Sequence, residues 1–195
     1  MPTAEKSKRI RKSAIIKGVI LGVIFLSLNI FSYYFITGIT KTTWLIVAGS
    51  FFFSIIIPVI VVIFLCINMR KKVGGYWDFK QATTGIFTMF LISYVILYIG
   101  RDMVFAKFIE PNMVKKTELV MLDVKARSLA MQGRTQSQIN AQVDDMRKGF
   151  DSQGSPGIGT ILQGFIINII FLFVIALVFG SIFKKDLQPV PSTAV

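Results

Sequence analysis

The chain has 195 residues, of which 53% are hydrophobic, 18 are Phe and only 16% are charged, and its mean hydropathy is +0.66. Soluble domains are about 45–50% apolar and about 25% charged, so this chain has too little charge to cover a water-facing globule and too much apolar matter for intrinsic disorder. With no His and one Cys, it excludes a zinc site, a Ser-His-Asp or Cys-His arrangement and an internal disulfide.

Residues 1–12 are strongly basic, with Lys6, Lys8, Arg9, Arg11 and Lys12, and read as a short disordered tail. Four charge-free runs follow, at residues 18–40, 42–69, 81–100 and 152–183. A helix that crosses about 30 Å of hydrocarbon needs about 20 residues at 1.5 Å each, and each run reaches that length. The first has a basic start like a signal peptide. Its apolar run is longer than the usual stretch of about 7–15 residues, however, and no Ala-x-Ala site follows. It reads as an uncleaved span. Gly18 and Gly22 in it form a Gly-x-x-x-Gly pair, a helix-packing signal that fits contact within the chain better than dimerisation. In the second run, Pro58 predicts a kink, and Cys66 reads as an apolar filler rather than a lipidation site. Arg70, Lys71 and Lys72 end that run and are candidates for contact with anionic lipid. Gly74 and Gly75 then mark a turn.

The third run is followed by a polar insert, residues 107–153. Pro111 is expected in the first turn of a helix over residues 112–132. Gly133 is a helix stop, and Thr135 with Gln138 matches a capping box for a second helix. In that helix Ile139, Val143, Met146 and Phe150 recur at spacings of four, three and four, one stripe of a 3.6-residue period. The stripe buries against the preceding helix, lies on the membrane surface, or meets a partner; its four residues are the partner-interface candidates. Ser155-Pro156-Gly157 reads as the cap and first turn of the fourth span, and Gly154, Gly157 and Gly159 offer a hinge as the other reading.

Orientation follows from the basic residues. With four spans, the side that holds both termini and residues 70–80 carries twelve basic and three acidic residues, a net of +9. The other side carries ten basic and seven acidic residues, a net of +3, spread mostly over the long insert. The positive-inside rule therefore places both termini in the cytoplasm. Tyr33, Tyr34 and Trp44 are expected at the outer interface, and Tyr76 and Trp77 at the inner one. The fold class is all-α and polytopic, with four transmembrane helices and an extracytoplasmic helical hairpin between the third and fourth. Its parts are residues 1–106 (basic tail and spans one to three), 107–153 (outer hairpin) and 154–195 (fourth span and a short cytoplasmic tail).

Features of a kind that carries chemistry have blander readings here. No charge lies at a span centre, which argues against an ion-coupled transporter and an intramembrane hydrolase. Asn29, Ser93, Tyr94, Gln163 and Asn168 are expected to hydrogen-bond between helices. Asp144 and Asp145 are adjacent, so on a helix they point about 100° apart and do not converge; with Asp123 and Asp151 they read as a solvated face. The basic clusters beside spans are orientation and lipid signals, not a nucleic-acid patch. The insert lacks the Cys residues of a tetraspanin-like loop, and the spans lack the embedded carboxylate of a small multidrug exporter.

The stretch FKQATTGIFTMFLISYVILYI at residues 79–99, FIEPNM at 108–113 and FKKD at 183–186 resemble the Domain of Unknown Function 4199 family of bacterial four-span membrane proteins. The resemblance implies a bacterial cytoplasmic (inner) membrane and carries over no catalytic residue. No catalytic, cofactor or metal site is expected. The expected role is a non-catalytic accessory or scaffold subunit of a cell-envelope complex. Membrane lipids and other membrane or envelope proteins would be its partners, with a homo-oligomer as one compatible assembly. The alternative is an oligomeric passive transporter or channel for a small or lipidic solute.

Overall fold

The computed structural model describes residues 3–151 and 158–185. The chain is mostly helical over these residues, and among them the one extended pairing is an isolated antiparallel bridge between Trp77 and Lys185. The elements are α1 (Thr3–Tyr34), α2 (Thr43–Phe51), α3 (Ile57–Lys72), α4 (Phe79–Leu97), α5 (Met113–Met131), α6 (Gln136–Asp151) and α7 (Ile158–Phe183). Four continuous helical stretches are long and apolar enough to cross a membrane: Glu5–Ile39, Thr43–Lys72, Phe79–Ile109 and Gly159–Phe183.

Two of these stretches are longer than the sequence implies, for identifiable reasons. The N-terminal residues are not a disordered tail, since α1 begins at Thr3. Glu5 and Arg9 pair at 3.0 Å one turn apart, and Ile10, Ala14 and Leu21 are buried along the helix. That apolar stripe ties the basic segment to its neighbours. The third stretch does not stop at Gly100. It runs through Arg101 and Asp102 as a π-helical segment, Tyr98–Ile109. Pro111 ends it rather than opening the next helix. A proline drives the preceding residue out of the α region, and Glu110 adopts φ −134°, ψ 72°. Residues 110–113 then turn, with the Met113 N–H donating to the Glu110 carbonyl at 2.9 Å.

Pro58 also acts locally. It has no N–H to donate to the Ser54 carbonyl. Just before it, Phe52–Ile56 widens into a π-turn, and the Ile57 N–H reaches back five residues to Phe52.

The chain clusters into two compact units. Among the described residues, the first comprises 3–23, 60–96 and 167–185. In it α1 meets α4 closely. A Cβ on Gly18 would lie 2.8 Å from Ile92 Cβ, and one on Gly22 would lie 2.8 Å from Ile96 Cβ. Here α7 packs on α4 through Phe87–Phe173 and Phe90–Phe179 ring contacts, and through the approach of Gly180 to Thr83. The α3 residues Leu65, Cys66 and Met69 complete the buried set.

The second unit comprises, among the described residues, 24–59, 97–151 and 158–166. Its apolar centre joins Ile36 and Ile46 to Val124 of α5, with Phe35, Val120 and Met121 packed around them. Phe105, 2% exposed, sits between Tyr33 and Tyr34 at ring separations of 5.6 and 5.9 Å.

Candidate functional site

Within the second unit, α5 and α6 pack on each other, and each end of their junction is specified by the chain. Gly133 takes φ +72°, a left-handed conformation that glycine adopts without strain. Its N–H donates to the Ala130 carbonyl at 3.0 Å, and that of Arg134 to the Leu129 carbonyl at 3.1 Å. These two bonds make a Schellman stop. Thr135 Oγ1 accepts from the Gln138 N–H, and Gln138 Oε1 accepts from the Thr135 N–H, the reciprocal pair of a capping box.

The four stripe residues of α6 are not presented outward. Ile139 is buried, and Val143, Met146 and Phe150 are half-buried. The exposed apolar groups of this region lie on other positions: Phe108, Ile109, Val114, Leu119 and Met131. Sequence reasoning followed periodicity, so it missed Phe108, Ile109, Val114 and Leu119, which have no periodic signature. It placed Met131 on the apolar stripe of the first insert helix with Met113, Val120 and Val124, where the structure leaves Met131 exposed.

The polar groups of the insert make structure. Arg127 donates from Nε and Nη2 to Asp123 and from Nη1 to the Lys41 carbonyl at 3.1 Å, which fastens α5 to the connection before α2. Lys116 Nζ donates to Glu110 Oε1 at 2.6 Å, and this bond to a carboxylate holds the ammonium pKa above its ordinary 10.5. Asp145 pairs with Lys148 at 3.7 Å, and Asp144 is exposed. Asp123 is engaged with Arg127. Among the described residues no three acidic or Cys side chains form a group able to hold a metal.

Within the first unit, Trp77 is fully buried against the protein. Its Nε1 donates to the Phe183 carbonyl at 2.7 Å, and its backbone exchanges two hydrogen bonds with Lys185, each 3.0 Å. Lys185 Nζ lies 5.2 Å from the centroid of the Tyr76 ring. Tyr33 in the second unit is likewise buried, whereas Tyr34, Trp44 and Tyr76 are exposed, Trp44 by 71%. Arg70, Lys71 and Lys72 form the last turn of α3, where cations favour the helix dipole. Gly74 and Gly75, at φ +102° and +82°, close it.

Of the polar span residues, Asn29 donates to the Phe25 carbonyl of its own helix rather than to another helix. Ser93 is buried, and Gln163 is exposed. Tyr94 and Asn168 each have a partner. The cap expected at Ser155-Pro156-Gly157 lies outside the described residues.

A family model described as a protein of unknown function, DUF4199, matches residues 17–185. The chain belongs to this family. No curated protein and no solved structure matches it. The motifs that carry the DUF4199 resemblance sit at junctions. Residues 79–80 open α4, residues 108–113 hold the turn into α5, and Phe183 and Lys185 bind Trp77.

Proposed function

We propose that this DUF4199 protein is a non-catalytic integral membrane subunit of a bacterial cell-envelope complex. It acts as an accessory or scaffold, with both termini in the cytoplasm and α5 and α6 forming a hairpin outside the inner membrane. The carrying observation is how little of its most apolar helices the chain covers. Only 11% of the most apolar window of Gly159–Phe183 and 17% of that of Thr43–Lys72 are buried, against 39% for Phe79–Ile109. Such faces need lipid or another membrane protein around them. On α7 they include Ile166, Ile170, Phe171, Val174 and Val178. Outside the bilayer, Leu119 and Met131 of α5 add exposed apolar area to which a partner would bind.

Extraction of the full-length protein in several mild detergents, followed by native mass spectrometry, tests this reading. A stable hetero-complex is expected. Recovery of a lone monomer in every detergent counts against it. Reconstitution in liposomes separates it from the oligomeric channel or passive transporter, because the scaffold produces no solute-dependent flux.

A further inference from the structure

The first unit contains a cavity of about 240 Å³ lined by Arg9, Lys12, Ser13, Ile16 and Lys17 of α1 and by Lys72 at the end of α3. At about 30 Å³ per water, it has room for about eight waters, enough for a phosphate and its first ester carbons. The α1 residues fall at spacings of three, one, three and one, a single stripe of a helix, so the convergence is built into the sequence. Four cations line the cavity and no carboxylate does. Glu5 reaches only Arg9, at 3.0 Å. Like charges gathered on one face repel, and an anion between them removes that repulsion.

A second observation points the same way. Ser13 is 9% exposed, and its Oγ is buried with no hydrogen-bond partner among the described residues. A helical Ser ordinarily spends its hydroxyl on its own backbone. This one is left unused, in a residue that lines the cationic cavity.

We infer that this cavity binds a phosphoryl anion, with Lys12, Lys17, Lys72 and Arg9 supplying charge and Ser13 Oγ donating a hydrogen bond. Lys17 is the last charge before the apolar run of α1, and Ile15 and Ile16 just before it and Val19 and Ile20 just beyond it are exposed. The headgroup of an anionic phospholipid therefore fits, its chains lying along those side chains; free phosphate shares the chemistry. The inference stands on the cavity and not on the scaffold reading.

The test uses the full-length protein in neutral detergent, with thermal unfolding measured against added phosphatidylglycerol, phosphatidylcholine or inorganic phosphate. A saturable rise in melting temperature with phosphatidylglycerol but not phosphatidylcholine is expected. Ser13→Ala should weaken that apparent affinity about tenfold, as for one hydrogen bond to a charged group. In the same variant the ligand-free melting temperature should hold or rise, because an unpaired buried hydroxyl is removed. That combination distinguishes a ligand contact from a folding defect. Lys12→Gln with Lys17→Gln should abolish the rise, and Lys115→Gln, exposed on α5 and outside the cavity, should leave it intact. A rise with inorganic phosphate that depends on Ser13 assigns the site to the free anion; one seen with lipid alone assigns it to the headgroup. Equal response to both lipids with none to phosphate, or equal loss in Lys115→Gln and Ser13→Ala, overturns the proposal.

Discussion

A buried indole must find an acceptor, and the last carbonyls of a helix must find donors. Trp77 and Phe183 meet both needs in one bond of 2.7 Å. Trp77→Phe keeps most of the packing but leaves the Phe183 carbonyl unpaired, so it should cost about 1–3 kcal/mol, read as a lower melting temperature in detergent. Glycine contacts give a second contrast. A Cβ on Gly22 would meet Ile96 Cβ at 2.8 Å, whereas one on Gly164 would meet nothing within 4 Å. Gly22→Ala should therefore destabilise by about 1–3 kcal/mol through overpacking. Gly164→Ala should be neutral or stabilise by up to about 1 kcal/mol through helix propensity. Equal melting temperatures for the two variants would contradict the α1–α4 contact. The Gly18–Gly22 spacing was legible in the sequence because its signal is local. Trp77 was not. An amphipathic ring next to a span looks interfacial, and only the return of the chain 106 residues later supplies its acceptor.

Elements whose ends are set by neighbouring residues were readable. Gly133, Thr135 and Gln138 make the stop and the cap that their spacing implies, because each bond spans only three to five residues. Boundaries inferred from charge alone were less secure. Arg101 and Asp102 looked like an end of helix but are tolerated within one, and Pro111 sets the true end through the conformation of Glu110. The start of α1 also carried a readable sign. Ile10, Ala14, Gly18 and Leu21 recur at four, four and three residues and are all buried, so the basic segment and the apolar run form one helix. How α5 is held was not readable, since Arg127 reaches a backbone carbonyl 86 residues away. That bond gives a prediction for the element. Arg127→Ala removes the tie to Lys41 and the exposed pair with Asp123, together about 0.5–1.5 kcal/mol. Amides of Met113–Met131 should then exchange about three- to tenfold faster with deuterated solvent. Lys115→Ala, on the same helix without that tie, should leave exchange unchanged.

For the whole molecule, the four crossings proposed for this chain rest on helix length and hydropathy, and their direction on charge. A net of +9 gathers near the span ends on one side, against +3 dispersed through the insert on the other. If each of the four long helices crosses once, the turn at Gly74 and Gly75 and the turn at Gly133 lie on opposite faces, because Phe79–Ile109 separates them. Both turns are suitable for insertion. Each uses a positive-φ glycine, and a Cβ placed there would meet nothing within 4 Å. Alkaline phosphatase, which needs an oxidising compartment to form its disulfides, should be active when inserted after Gly133 and inactive after Gly75. A fluorescent protein that matures in the cytoplasm should show the reverse. Moving positive charge should shift the balance in a known direction. Neutralising Arg70, Lys71 and Lys72 while leaving the insert unchanged should raise phosphatase activity at the Gly75 fusion, because those three residues adjoin a span and carry more orienting weight than distant charges. Matching phosphatase activity at the two turns in the unaltered chain would mean that Phe79–Ile109 does not cross, and the proposed arrangement of four spans would fail with it.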